Sequence, residues 1–262
     1  MCHEHDKHTD RRENLQIAEL SGDWTVGALP MLDALSGIRH AVSTRLGPGG
    51  ANLAWDDPHG PARRQSLGRA IGAVEVAALR QVHGGRVVAA EEALAGPVEA
   101  DAMFTRREGL AVMGLSADCP IVLAADVQTG AVGMAHASWR STVARLTYKL
   151  VRAMCVECGC KATEIVAGIC PSAGPCCYEV GPDTLAAATD GLGAKAGRFF
   201  LQRDGHMVFD LWAANVQQML EAGICRHNIQ VAGVCTICDG RFFSVRRDGP
   251  RTGRFGAMIA RA

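Results

Sequence analysis

The chain has 262 residues, 48% hydrophobic and 21% charged, which is enough for a large core in one big domain or two small ones. Lys+Arg and Asp+Glu both number 27, so the formal net charge is zero and no long-range field gathers nucleic acid or an anionic bilayer. That balance favours a small molecule as partner, with no nucleic acid and no membrane.

Residues 1–13, MCHEHDKHTDRRE, hold too few apolar side chains to offset the entropy of ordering and are expected to form a disordered polar tail. Its Cys2, His3, His5 and His8 read as a frayed terminus rather than a physiological metal site. The segment also lacks the hydrophobic stretch of a signal peptide, and no apolar run approaches the roughly 20 residues that span a bilayer, so the expected location is the cytoplasm. Residues 14–262 are expected to form a single catalytic domain.

From Ile38 onward, short apolar runs divided by Gly, Pro and Asp predict strands over Ile38–Ser43, Val87–Ala90, Leu110–Leu115, Ile121–Asp126 and Ala131–Ala137. The last two flank Val127-Gln128-Thr129-Gly130, a hairpin connection, and the strands are expected to pair antiparallel. After Ser141, apolar Val143, Leu146, Leu150 and Met154 recur at helical spacing, with Ser141 or Thr142 as cap. Strands are expected at Glu164–Ala167 and Ile229–Ala232, and a helix from an Asp210 cap to Gly223. The predicted fold is α+β, a layered sandwich of mixed, largely antiparallel sheets with flanking helices. No P-loop or GxGxxG is present.

Chemistry concentrates in Arg80-Gln81-Val82-His83-Gly84, Ser116-Ala117-Asp118-Cys119-Pro120 and Ala135-His136-Ala137-Ser138-Trp139-Arg140, each at or near the end of an apolar run. Two imidazoles and a thiolate suit zinc or copper, and three protein ligands leave a coordination position open. Spacings of 36 and 17 residues are no local ligand motif, so on the pattern alone two hydrogen-bonded histidines and a buried thiol are the simpler reading.

These segments together resemble the YfiH-like family, also called the laccase-domain or multicopper polyphenol oxidase family. Further matches are Thr44-Arg45, Asn52-Leu53, Ala100-Asp101-Ala102, Gly174 to Gly181, Asp210 to Asn215, Cys235-Thr236 with Cys238-Asp239, and Arg241 to Ser244 with Arg246-Arg247-Asp248. The resemblance covers nearly the whole chain after the tail. It implies that His83, Cys119 and His136 are the metal-binding and catalytic trio, with zinc as the expected ion and copper as the alternative. It also implies purine nucleoside phosphorylase activity, with adenosine deaminase and methylthioadenosine phosphorylase activities at the same site. Purine nucleoside and phosphate are then the small-molecule partners. Ser138 and Ser141 stand where the family usually has glycine.

Deamination suits a metal that makes water acidic enough to attack the purine carbon carrying the amine. Phosphorolysis needs a phosphate held near the anomeric carbon, for which Arg140 and the helix expected near Ser141 are the candidates, and Arg140 is therefore counted as catalytic. Arg45 and Arg246 are assigned to substrate binding, and Arg247, Arg251 and Arg254 are further cations of the closing loop. Two alternatives stand beside this reading. Phenol oxidation would need many more histidines than His40, His59, His206 and His227, which are all that lie outside the trio and the tail. A metal-free amide hydrolase of cell-wall editing, also attributed to relatives, would use Cys119 as nucleophile with His83 or His136 as base.

Eleven cysteines without an export signal are expected as thiols or metal ligands. Cys155-x-x-Cys158 with Cys160, and Cys235-x-x-Cys238, have zinc-pair spacing, but reduced, partly buried thiols are the simpler reading. Adjacent Cys176 and Cys177 would make a strained bridge and are set aside.

Overall fold

A computed structural model describes residues 14–262, so the expectations for the 1–13 tail and its Cys2, His3, His5 and His8 lie outside the described residues. The strands are β1 (Gln16–Leu20), β2 (Trp24–Ala28), β3 (Ile38–Ser43), β4 (Glu75–Ala78), β5 (Val87–Ala89), β6 (Ala102–Thr105), β7 (Leu110–Ser116), β8 (Ile121–Asp126), β9 (Ala131–His136), β10 (Val166–Ile169), β11 (Phe200–Arg203), β12 (His206–Phe209), β13 (Ile229–Val231) and β14 (Phe255–Arg261). The helices are α1 (Pro30–Asp33), α2 (Gly60–Ala70), α3 (Ala90–Ala95), α4 (Trp139–Val143), α5 (Leu146–Cys158), α6 (Pro182–Leu192), α7 (Leu211–Glu221) and α8 (Val245–Asp248).

Among the described residues the strands build two six-stranded sheets, in the orders β1-β2-β3-β14-β7-β4 and β13-β10-β8-β9-β6-β5, with a two-stranded β11-β12 ribbon. The α+β sandwich of mixed sheets is as the sequence predicts. Antiparallel pairing dominates, but β4–β7, β5–β6 and β10–β13 are parallel. Leu123, Val132 and Met134 of one sheet share a buried cluster with Val112, Ala257 and Ile259 of the other, so the main core lies between the sheets. Leu67 and Ile71, at and just beyond the end of α2, close the outer face of the first sheet. Leu150 and Met154 of α5, with Trp212 and Met219 of α7, close that of the second.

β8 and β9 run as fully buried strands, which explains why they read as unbroken apolar runs, and Gly130 at φ 72° completes the connection between them. Two expectations need correction. The helix predicted from Ser141 is two helices: α4 begins at Trp139, capped by the Ser138 hydroxyl, which accepts from Ser141 N at 3.2 Å, and Arg145 at φ 60° separates it from α5. The carbonyl of Thr142 accepts from Arg145 N at 3.0 Å and also from the Gln218 amide of α7 at 2.7 Å, and Asn215 donates to the Thr142 hydroxyl at 3.0 Å. The strand predicted at Glu164–Ala167 starts two residues later, because Ala162–Glu164 forms a 3-10 turn. The Asp210 cap of α7 is as expected, with its carboxylate accepting from Ala213 N at 2.9 Å.

Candidate metal and active site

His83, Cys119 and His136 meet at one rim of the sandwich. His83 lies in the connection from β4 of the first sheet to β5 of the second, Cys119 in the crossing from β7 to β8, and His136 is the last residue of β9. Their ligand atoms all fall within 4.8 Å of one another. The two imidazoles stand edge to face, with centroids 5.1 Å apart. His83 is exposed, Cys119 half-buried and His136 buried, so the site is rooted in the core and open on the His83 side.

Asp101, fully buried, ties these segments together. Its carboxylate accepts from the backbone N–H groups of Val82 at 3.2 Å, His83 at 3.0 Å and Gly84 at 2.7 Å, and meets His136 Nδ1 at 2.9 Å. The first three contacts hold the loop in which His83 takes φ 60°, a conformation that costs a non-glycine residue energy and is kept only where neighbours impose it. The fourth engages Nδ1 of His136 and leaves Nε2 for a ligand.

The electrostatics follow from this packing. Burial opposes ionisation of Cys119, but the charge and hydrogen bond of His136, then those of His83, outweigh it and hold the thiol well below its usual range. Burial likewise works against a charged His136, and Cys119 with Asp101 overcomes it and pushes the imidazole up. A donor set of one thiolate and two imidazoles, one of them oriented by a carboxylate, fits a zinc-class ion with a position left open.

The family model described as multi-copper polyphenol oxidoreductase laccase matches residues 52–262. The chain belongs to that laccase-like family. A relative from Deinococcus radiodurans named purine nucleoside phosphorylase is 36% identical over 247 residues, which is 90% of this chain and 94% of that protein. A protein of an unknown prokaryotic organism named adenosine deaminase RL5 is 34% identical over 162 residues, 59% of each chain. The crystal structure of YlmD from Geobacillus stearothermophilus superposes with a TM-score of 0.82 at 25% identity, covering 94% of this chain and 98% of that one.

Around the trio, sequence reasoning assigned Arg246 but gave no role to Asp118 or Tyr178. Asp118, at φ 114°, is buried beside Cys119 and accepts from the Thr236 hydroxyl at 2.7 Å and from Arg246 N at 2.8 Å. Burial pushes its carboxyl up against those hydrogen bonds. Tyr178 is buried with the exposed Arg246 guanidinium 4.8 Å over its ring. Its hydroxyl is pushed up to about 12 by burial and then by the charge of Cys119. Arg246, bonded through its backbone N–H to Asp118, stands with Tyr178 beside the segment that carries Cys119.

The other assigned arginines differ in position. Arg140 is exposed and stacks 4.3 Å over Trp139. Ser138 and Ser141 are buried and their hydroxyls bond each other at 2.8 Å, with that of Ser138 capping α4. α4 is too short to offer the helix N-terminus expected for phosphate. Arg45 pairs with Asp248 at 3.3 Å and lies over Phe243. Arg247 donates to the carbonyls of Thr236, Asp239 and Phe242 and to Asp248, so it clips the closing loop and is not a cation awaiting phosphate.

Proposed function

We propose that the chain is a purine nucleoside phosphorylase acting on adenosine, inosine and methylthioadenosine, with adenosine deaminase activity at the same His83/Cys119/His136 site. The observation that carries this reading is the convergence of the three donors at an open rim, in a chain whose relatives over nearly its full length are named for that activity. When bound, a zinc-class ion supplies Lewis acidity that activates water or polarises the purine.

The protein's own residues do the rest. Asp101 fixes His136 and the His83 loop, so the donors need not reorganise when substrate arrives. Arg246, steadied on Tyr178, is the cation we assign to phosphate and the substrate's ribose, with Arg140 and Arg45 at the periphery. A hydrogen phosphate held there forms the new C–O bond at the anomeric carbon as the C–N glycosidic bond breaks, and the proton that the phosphate gives up accounts for the one taken by the departing purine.

A laccase reading is less well supported. Among the described residues, the groups able to hold a metal are this trio and an all-cysteine cluster, and neither is a histidine-rich oxygen-reducing centre. The depressed thiol of Cys119 does favour a second reading, an amide hydrolase with Cys119 as nucleophile and a histidine as base.

Chromatography of adenosine incubated with metal-analysed enzyme, with and without phosphate, separates these readings. Phosphate-dependent adenine and ribose 1-phosphate, together with inosine, are expected, and both should be lost in Cys119→Ala and on chelation. Untouched adenosine would sink the nucleoside reading, and hydrolysis of a peptide amide supplied in a parallel incubation, if it survives chelation, would support the thiol one.

A further inference from the structure

Cys176 and Cys177 lie in the loop that follows β10, and Cys235 and Cys238 in the loop that follows β13. β10 and β13 pair in parallel, so both loops leave the sheet at the same end. Ser172 and Cys235 continue the pairing as an isolated parallel bridge, which holds the loops in register. The sulfurs of all four cysteines lie within 4.8 Å of one another, with Cys176–Cys238 at 3.8 Å and Cys177–Cys238 at 3.3 Å. Tetrahedral zinc with Zn–S bonds of ~2.3 Å sets its sulfurs ~3.8 Å apart, so these spacings need shifts of under about an ångström to close on an ion.

The surroundings also suit bound thiolates. The backbone N–H of Gly174 donates to Cys235 Sγ at 3.3 Å, a contact that stabilises negative sulfur. Cys235 is buried, Cys177 and Cys238 are half-buried, and Cys176 is exposed, which leaves an entry path.

We propose that Cys176, Cys177, Cys235 and Cys238 form a second, closed metal site that takes a zinc-class ion and is separate from the His83/Cys119/His136 centre. Four protein thiolates fill a tetrahedral shell, so the site is structural and activates nothing. Its place in the fold gives it a task. The same two loops grip the segment that carries Cys119: Ala173 N donates to the Asp118 carbonyl at 2.7 Å, and the Thr236 hydroxyl donates to the Asp118 carboxylate. An ion at the cluster fastens both loops and, through Asp118, the position of Cys119. Cys155, Cys158 and Cys160, which share zinc-pair spacing in the sequence, take no part, because they lie at the end of α5 and just beyond it. The inference does not rest on the proposed reaction.

The test uses the full chain, purified under reductant and loaded with zinc or cobalt. In the His83→Ala/Cys119→Ala variant, which lacks the first centre, about one zinc per chain should remain. Its cobalt form should show the intense thiolate-to-cobalt charge-transfer band of a multi-thiolate tetrahedral site. Cys176→Ser, at the exposed ligand where misfolding is least expected, should weaken that remaining ion by at least tenfold in competition with a chromophoric chelator. Cys235→Ser should abolish binding. The proposal is overturned if the variant without the first centre holds no zinc or cobalt, if Cys176→Ser leaves affinity unchanged, or if mass spectrometry finds a Cys177–Cys238 disulfide in the reduced preparation.

Discussion

Asp101 is the residue on which both histidines depend, since one carboxylate receives the N–H groups of Val82, His83 and Gly84 and orients His136. Asp101→Asn keeps the shape but turns a pure acceptor into a group that must point an N–H at some of these donors. Losses of an outer partner of this kind typically cost ten- to a hundredfold in metal affinity, and a broken buried network costs about 3 kcal/mol in stability. We expect zinc affinity at the His83/Cys119/His136 centre to fall in that range, as measured by chelator competition in the Cys235→Ser background. A fall in stability with unchanged affinity would confine Asp101 to folding. The trio itself was legible only through the family resemblance, because spacings of 36 and 17 residues carry no local pattern. Asp101 lies within a matched segment, yet nothing in its neighbours reveals that residues 82–84 turn their N–H groups toward it. The vicinal Cys176 and Cys177 were set aside because adjacent cysteines make a poor bridge, and the parallel β10–β13 pairing that gives them partners is a non-local fact.

Among the elements, those with local signals could be read and those shaped by tertiary contacts could not. The β8–β9 hairpin and the Asp210-capped α7 follow from turn and cap chemistry close in sequence. The α4–α5 break does not, because Arg145 takes its left-handed conformation where the Asn215 and Gln218 amides of α7 donate to Thr142. A similar long-range joint fastens β3 to α1: His40 Nε2 accepts from Leu29 N at 2.8 Å, while its buried Nδ1 has no hydrogen-bond partner among the described residues. Burial, opposed weakly by Asp33, lowers this imidazole from 6.5 to about 4. In the unfolded chain His40 takes up a proton below about 6.5, whereas the folded protein resists until about 4. Its contribution is therefore intact above 6.5 and lost as pH falls through that window, about 3 kcal/mol in all. Urea midpoints at pH 7 and 4.5 should show His40→Gln, which keeps an acceptor for Leu29 N, losing less stability on acidification than the parent. Equal losses in both proteins would remove His40 from the acid response.

At the scale of the whole molecule, the trio is only as well placed as the two sheets are registered, since β7 leads to Cys119 and β9 ends at His136. The order of the sheets was not readable, because the carboxy-terminal β14 inserts between β3 and β7, and such pairings leave no mark on local composition. Where the sheets face each other, Gly114 of β7 sits against β8 and β9: a Cβ there would lie 2.9 Å from Met134 Sδ and 3.3 Å from two carbons of Ile121. Gly114→Val should thus wedge the layers apart and cost about 1–3 kcal/mol, the usual range for overpacking. The wedge acts through Met134, so Met134→Ala, destabilising alone, should absorb part of it. The double variant is expected to be more stable than the sum of the single changes by about 0.5–3 kcal/mol in urea unfolding. If the separation of the sheets is what sets the trio, nucleoside turnover will fall in Gly114→Val and recover in part in the double variant. Turnover that stays unchanged in Gly114→Val while stability falls would mean that the rim keeps its geometry independently of the core, with Asp101 holding the donors together.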